Sequence, residues 1–442
     1  MKASSNVASW HRRLISDRFL RLSKEGFWVI LGQVAAVSGA LTGVRLLTEQ
    51  LGPVAYGELT LSMTAAILIN QVVFGPLGNG VTRFYPLATE RDDFGGYLNA
   101  TCCLVLWGTG AVVLIFFLAI VGLWISDRTH WIALAAAILF FGILAGYVSI
   151  LNGMQSAARQ RPIVALHQGM EPWARFLSAV ALLVRYGATS TVAVSGYVLG
   201  MMFVLASQSI FFRKLIPQRV SRRVGGEDSW MQQIWVYSRP FAFWGILSWA
   251  QIASDRWALE LFTTTQEVGL YAVLFQLGYA PMLLGTGMAM QFLSPIVYQR
   301  AGDARDHTRN ANLNKLNWRL TGLILGLTGV AFGVALHLHE QIFLILVAKE
   351  YGVVSYLLPW ILLAGGVFAA SQTIALNLMG QMKTQTLIAP KVITALLGIL
   401  CNLAGAYWWG TAGVVMAGLA VSVLYLLWMA VLSINGGQVL YS

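Results

Sequence analysis

The chain has 442 residues, of which 57% are apolar and 11% charged, with a mean hydropathy of +0.68 and a formal net charge of +11. A soluble domain carries about 25% charged residues because its surface must stay wet, so a chain with under half of that is solvated mainly by lipid. A cytosolic enzyme, a nucleic-acid-binding domain and a disulfide-stapled secreted scaffold are thereby excluded. The three cysteines, Cys102, Cys103 and Cys401, lie in apolar stretches and read as small buried hydrophobes rather than a disulfide framework.

Crossing a hydrocarbon core of about 30 Å takes about 20 helical residues. The N-terminal stretch 11–24 mixes basic and apolar residues at helical spacing. It reads as an anchor for the first span or as an amphipathic helix on an anionic leaflet, and a secretory signal fits less well. Apolar runs of spanning length then follow at 27–47, 58–81, 97–125, 131–151, 163–185 and 190–212, and again at 240–262, 268–298, 320–337, 357–379, 387–409 and 411–433. Residues 341–348 are apolar but too short to span, and read as interfacial. The expected fold is an all-α integral membrane protein of about 12 transmembrane helices in two six-helix bundles. Its parts are a basic N-terminal segment 1–26, a first bundle 27–212, a basic linker 213–236 and a second bundle 237–442.

Lys and Arg side chains set the orientation. Of the 29, 23 fall before the first span or in alternate connections on one side. Both termini are therefore expected in the cytoplasm, and the two halves, each starting from that side, would be parallel repeats. The openings of the halves agree: Gly43-Val-Arg45 leads to Gly57, and Ser254-Asp-Arg256 leads to Gly269. Pairs of glycines four residues apart, Gly39/Gly43, Gly142/Gly146, Gly322/Gly326 and Gly329/Gly333, mark faces where helices approach closely.

Phosphate-cradling GxxxxGK[ST], HExxH, CxxC and EF-hand patterns are all absent. The connections on the side away from the basic loops are short, which disfavours a membrane-bound polymerase or ligase. What remains is ionisable chemistry inside lipid, where each group must pair or face water. His167, Glu171 and Arg175 are spaced four apart on the fifth span and share a face. Glu171–Arg175 reads either as a closed ion pair or as part of a cavity, and Pro172 as a break beside it. Asp255 and Arg256 point about 100° apart on a helix, so they call for separate surroundings and a water-filled cavity. Arg45, Gln33, Asn70, Gln71 and Arg83 complete the set, Arg83 also fitting a plain marker of the inner membrane border. The excess of Arg over carboxylate favours an anionic substrate.

Gly26-Phe-Trp-Val-Ile-Leu-Gly, Leu46-Leu-Thr-Glu-Gln-Leu-Gly-Pro-Val-Ala-Tyr-Gly57, Gly75-Pro-Leu, Ser254-Asp-Arg256 and Val268-Gly-Leu-Tyr271, in that order, resemble the bacterial polysaccharide transporters. These are O-antigen and exopolysaccharide flippases of the MOP superfamily. The resemblance implies alternating access in the bacterial inner membrane, carrying undecaprenyl-diphosphate-linked oligosaccharide between leaflets without enzymatic chemistry. It implies that Arg45, Arg175 and Arg256 meet diphosphate or acidic sugars. Asp255, Glu171 and His167 would balance charge or exchange cations, and Gln33, Asn70 and Gln71 would contact sugar hydroxyls. It further implies H⁺ or Na⁺ as coupling ion, no other cofactor, and a polysaccharide polymerase and chain-length regulator as partners. The alternative within the superfamily is a cation-coupled multidrug extruder, for which an acid-rich cavity would make more sense.

Overall fold

The computed structural model describes residues 2–214, 227–286, 297, 307–381, 383 and 385–438, and every regular element among them is helical. The expected arginines at 219, 222, 223, 300 and 305, and the end of the eighth span, lie outside the described residues. Helix α1 runs unbroken over Lys2–Gln50, so the basic N-terminal stretch and the first span are one helix. Helix α2 (Pro53–Ile69) passes through a π-turn, Asn70–Phe74, into α3 (Gly75–Glu90). Then follow α4 (Phe94–Ile125), α5 (Ile132–Ala157), α6 (Arg161–Tyr186) and α7 (Ser190–Arg213). Helix α8 spans Glu227–Phe262, and α9 (Thr265–Leu274) enters a second π-turn, Phe275–Tyr279, before continuing to residue 286. Helices α10 (His307–Leu346), α11 (Leu358–Gly380) and α12 (Ile388–Gln438) complete the chain.

Nine helical segments among the described residues are long and apolar enough to cross a membrane. The two charge-bearing helices α6 and α8 fall outside that set, while α12 is counted once although it folds back on itself. Gly410 sits in α12 at φ 56°, ψ −137°, a conformation that L side chains avoid. Gly405 and Gly413 meet across that turn, each lacking the Cβ that would strike the other's backbone. The hairpin in α12 and the two charge-bearing helices account for the difference between these nine segments and the twelve apolar runs of the sequence.

Three expectations change. Residues 341–346 continue α10 instead of lying at the interface, since nothing between His337 and Leu346 breaks the helix, and Phe343 and Val347 are buried. Pro172 does not break α6. The linker's last residues belong to α8, where Trp230 and Ile234 are buried.

Helices α1–α7 pack on one another around α5 and α6; α10, the second π-turn and α12 pack around α11, most of whose side chains are buried, and α8 packs on α12 as well as on the first bundle. Lipid gives no hydrophobic drive for such packing, so small residues decide where backbones close up. Gly39 and Gly43 on α1 seat against Trp173 and Phe176, and Gly142 and Gly146 on α5 against Ile69 and Phe74. Gly322, Gly326, Gly329 and Gly333 on α10 have no atom near enough to meet an added Cβ. Polar side chains along the spans return hydrogen bonds to carbonyls one turn back, as Thr101 to Tyr97, Thr109 to Val105 and Thr328 to Ile324. In a medium without water those groups have few other partners.

The two halves repeat a motif at the end away from the basic loops. Ser190, first residue of α7, donates to Glu58 at 2.6 Å, and Thr411, just past the α12 bend, donates to Glu267. Each follows a glycine of positive φ, Gly187 and Gly410. Gly57 and Gly269 meet each other across the two bundles: a Cβ on either would run into the backbone of the other helix.

Candidate functional site

At that same end, the two bundles are fastened together. Arg45 near the end of α1 donates to the carbonyl of Leu344, at 3.0 Å, and to that of Val347, while pairing with Glu49 at 2.7 Å. Those carbonyls belong to the last turn of α10, which has no intrahelical donors left and carries the negative end of the helix dipole. Thr48 accepts from the Ala348 amide, the Tyr351 hydroxyl donates to the Leu51 carbonyl at 2.8 Å, and the Tyr56 hydroxyl donates to Gln276 at 2.9 Å. Tyr56 and Tyr351 pack edge to face. Nearer the middle, Trp249 and Trp257 of α8 both donate to Thr64 of α2.

Toward the basic end, α8 is held by the first bundle. The buried Asp93 carboxylate caps α4 through the Gly96 amide and accepts from the Trp230 indole at 2.7 Å, with Arg91 over the same ring. Gly245 lets the Gln71 carbonyl, in the first π-turn, approach the α8 backbone. Helix α8 therefore starts on one bundle and ends in the other.

Around its middle lie three adjoining cavities. The first, about 440 Å³, is walled by Gln71, Asn79, Thr82 and Ser149 of the first bundle and by Trp244 and Ser248 of α8. The second, about 270 Å³, shares Trp244 and Ser248, adds Gln251 and Gln372, and has Lys391 at its basic end. The third, about 450 Å³, lies deeper in the second bundle and reaches Asp255, Asn402 and Ser422. Ser248 lines all three. The first two cavities are lined largely by uncharged hydrogen-bonding groups, with Lys391 in the second, while the third is lined mainly by aliphatic and aromatic side chains such as Ile252, Leu283, Val414 and Tyr425, with Asp255 its one carboxylate.

That carboxylate is already answered. Asp255 accepts from the Arg256 amide at 2.7 Å and from the Tyr271 hydroxyl at 2.8 Å, and the Arg256 guanidinium reaches back to it at 3.5 Å. The guanidinium also lies 4.9 Å above the Phe275 ring and donates to the Ile252 carbonyl. The separate surroundings expected for these neighbours are thus replaced by one shared nest, because the long Arg side chain bends back along its own helix. The expected cavity is present, and Asp255 is the one that faces it.

The remaining arginines do not converge with Arg256. Arg175 pairs with Glu171 at 3.5 Å inside the first bundle, its guanidinium within 6 Å of the Phe141, Phe176 and Tyr197 rings. His167, on the same face, is fully buried between the Ile163 carbonyl and the Ser207 hydroxyl, against Phe211. Arg45 is the fastening at the far end, and Arg83 is exposed. Asn70 donates to the Ala66 and Gly142 carbonyls, Gln33 is half-buried on α1, and Gln71 lines the first cavity. Arg45, Arg175 and Arg256, all expected to meet the anionic substrate, lie at three separate places, each with partners of its own. Each found a local answer, at i+4, at i−1 or on neighbouring rings, that needs no ligand. Sequence reading passed over Ser248, Gln251, Asn402 and the aromatic residues, since uncharged polar and aromatic residues in an apolar run carry no signal of their own.

No protein-family model and no curated protein sequence matches the chain. Solved structures do match in fold. A lipid II flippase MurJ in an inward closed conformation is 14% identical, with a TM-score of 0.66 over 94% of this chain and 92% of that one. An inward-facing multidrug resistance MATE family transporter of the MOP superfamily is 11% identical, with a TM-score of 0.70 over 91% and 95%. The Vibrio cholerae MATE transporter VcmN, in a mutant form, is 13% identical, with a TM-score of 0.60 over 96% and 98%. The chain shares the fold of these MOP-superfamily proteins.

Proposed function

We propose that the protein is a flippase that moves undecaprenyl-diphosphate-linked oligosaccharide across the bacterial inner membrane for O-antigen, capsule or exopolysaccharide synthesis. The observation that carries the reading is the lining of the crevice around α8. The neutral hydrogen-bonding side chains of the two shallower cavities, Gln71, Asn79, Thr82, Gln251 and Gln372, with Lys391 beside them, match a neutral glycan on an anionic linkage. An organic cation would need a free carboxylate, and Asp255 is held by Arg256 and Tyr271. The fold is compatible with this reading, since a lipid II flippase has this architecture, and it is equally that of multidrug MATE transporters, so the cavity lining carries the choice.

On this reading the two bundles are the moving bodies, and α8, which starts on the first and ends in the second, connects them. The fastening through Arg45, Thr48, Leu51 and Tyr56 keeps the crevice closed at the periplasmic end, and it must part before the glycan leaves. Buried interfaces of this kind have discrete arrangements, and the paired Gly57 and Gly269 allow the closed one. The test is transport in proteoliposomes. Vesicles loaded in both leaflets with fluorescent lipid-linked oligosaccharide should expose the whole pool to an external quencher, against about half in vesicles without protein. Ethidium efflux with no change in the oligosaccharide pool would replace this reading with the multidrug extruder.

A further inference from the structure

Inside the second bundle, four aromatic rings follow one another along the wall of the deepest cavity. Phe275 and Tyr279, four residues apart in the second π-turn, stack with centroids 5.1 Å apart and planes 20° apart. Tyr279 meets Phe368 of α11 at 6.2 Å and 34°, and Phe368 stacks on Tyr425 of α12 at 5.7 Å and 25°. All four rings line the cavity, and Phe368 and Tyr425 also line the shallower one that reaches Lys391. The π-turn is the local cause. Its extra residue re-aims the side chains of one turn, and Gly278 lets that turn sit against the Ile361 side chain and the Leu362 backbone of α11.

Packing alone does not account for this wall. An apolar core fills its space, whereas here about 450 Å³ stands open beside the rings. The rest of the lining is largely aliphatic, with Ile252, Leu283, Val414 and Val421 among it, and Ser248, Gln251, Asn402 and Ser422 are hydrogen-bonding side chains set into it. Among the described residues, the side chains of Ser248 and Gln251 have no hydrogen-bond partner, so an occupant has donors and acceptors to meet. An isoprenoid chain would leave those groups unanswered at a cost of about 1–3 kcal/mol each. An organic cation would find Asp255 already paired. A sugar ring answers both walls, with an apolar C–H face for the aromatics and hydroxyls for the amides.

We propose that this cavity is a glycan subsite: sugar rings of the substrate lie along Phe275, Tyr279, Phe368 and Tyr425, with hydroxyls toward Gln251 and Asn402. The inference rests on the flippase reading and adds that the glycan enters the second bundle instead of staying between the bundles. Lys391, at the mouth of the adjoining cavity, is placed to meet the anionic linkage that follows the sugars.

Gly418 supplies a clean probe. It lines this cavity, and a Cβ built on it meets no atom within 4 Å, so Gly418→Phe fills the space without forcing the helices apart. Gly326→Phe, also in open space but on α10, is the control. Purified full-length protein in nanodiscs is titrated with undecaprenyl diphosphate carrying a tetrasaccharide, with bare undecaprenyl diphosphate, and with ethidium, following tryptophan fluorescence. Gly418→Phe should weaken the sugar-bearing ligand by about tenfold or more, and the paired substitution Phe368→Leu with Tyr425→Leu by about tenfold. Both should leave the bare carrier within about twofold, and Gly326→Phe should change neither. Unchanged sugar affinity in Gly418→Phe overturns the subsite and leaves the flippase reading standing. Equal loss for both lipids makes the cavity a lipid-chain site and overturns it as well. Tight ethidium binding with no binding of either lipid by the unmodified protein removes the flippase reading and this inference together.

Discussion

Two acid–arginine pairs sit within the spans, one in each bundle, and they behave differently. Glu171–Arg175 is packed without being sealed: three aromatic rings lie beside the guanidinium and Gly200 brings α7 against its backbone, about a quarter of each side chain stays exposed, and none of the cavities described above includes either residue. Asp255–Arg256 is enclosed on the arginine side alone, while the carboxylate faces an open space. Charge inside a membrane is therefore insufficient evidence of a ligand site. What separates packing from function is whether the neighbouring helices leave room beside the charge.

The largest expected effect breaks the second pair. Asp255→Leu strands a buried guanidinium and should cost about 3–5 kcal/mol, seen as loss of monodisperse protein and a lower unfolding temperature. Replacing both members, with Arg256→Met added, should recover most of that stability. If the double variant is as unstable as the single one, the pair does not act as a mutual neutralisation. Gly57→Val comes next, because its side chain would meet the Thr265 carbonyl and the Gly269 backbone. The outer ends could then no longer close, and a disulfide that forms readily between cysteines placed at Thr48 and Ala348 should fail to form.

Arg45→Ala removes two charge-assisted hydrogen bonds across the bundles. It should favour the parted arrangement by about 1.5–3 kcal/mol, read as faster thiol labelling of a cysteine at Thr48; unchanged labelling would show that the contact does not hold the ends together. The first pair gives a smaller effect. Glu171→Leu with Arg175→Met should stay within about 1 kcal/mol of the parent, since an ion pair that keeps part of its surface open contributes about 0–1 kcal/mol, and transport should persist. Loss of transport in a stable double variant would return Arg175 to the site. Smallest of all, Arg83→Gln on an exposed position should shift stability by under about 0.5 kcal/mol.

Some of this was legible in the chain. The glycines of the Gly57 and Gly269 openings, chosen for their similar context, meet in the structure because close backbone approach needs a residue without a side chain, and that requirement is written in composition. The i,i+4 spacing of Glu171 and Arg175 likewise specifies their pairing. Other features were not legible. Arg45 looked like a substrate residue, and its actual partners are carbonyls about 300 positions away, which have no sequence signature at all. The π-turns at Asn70–Phe74 and Phe275–Tyr279 follow no motif, yet one carries Gln71 into a cavity wall and the other aims two rings of the aromatic ladder.

The amino-acid order by itself determined that the protein is an all-helical, multi-pass membrane protein. Hydropathy, length and basic residues act locally and add up along a chain. Where the open space lies was decided by the tertiary structure alone, since a cavity is a property of several helices failing to fill a volume between them. Which charges are sealed and which face that space depends on the same packing, and no one segment contains that information.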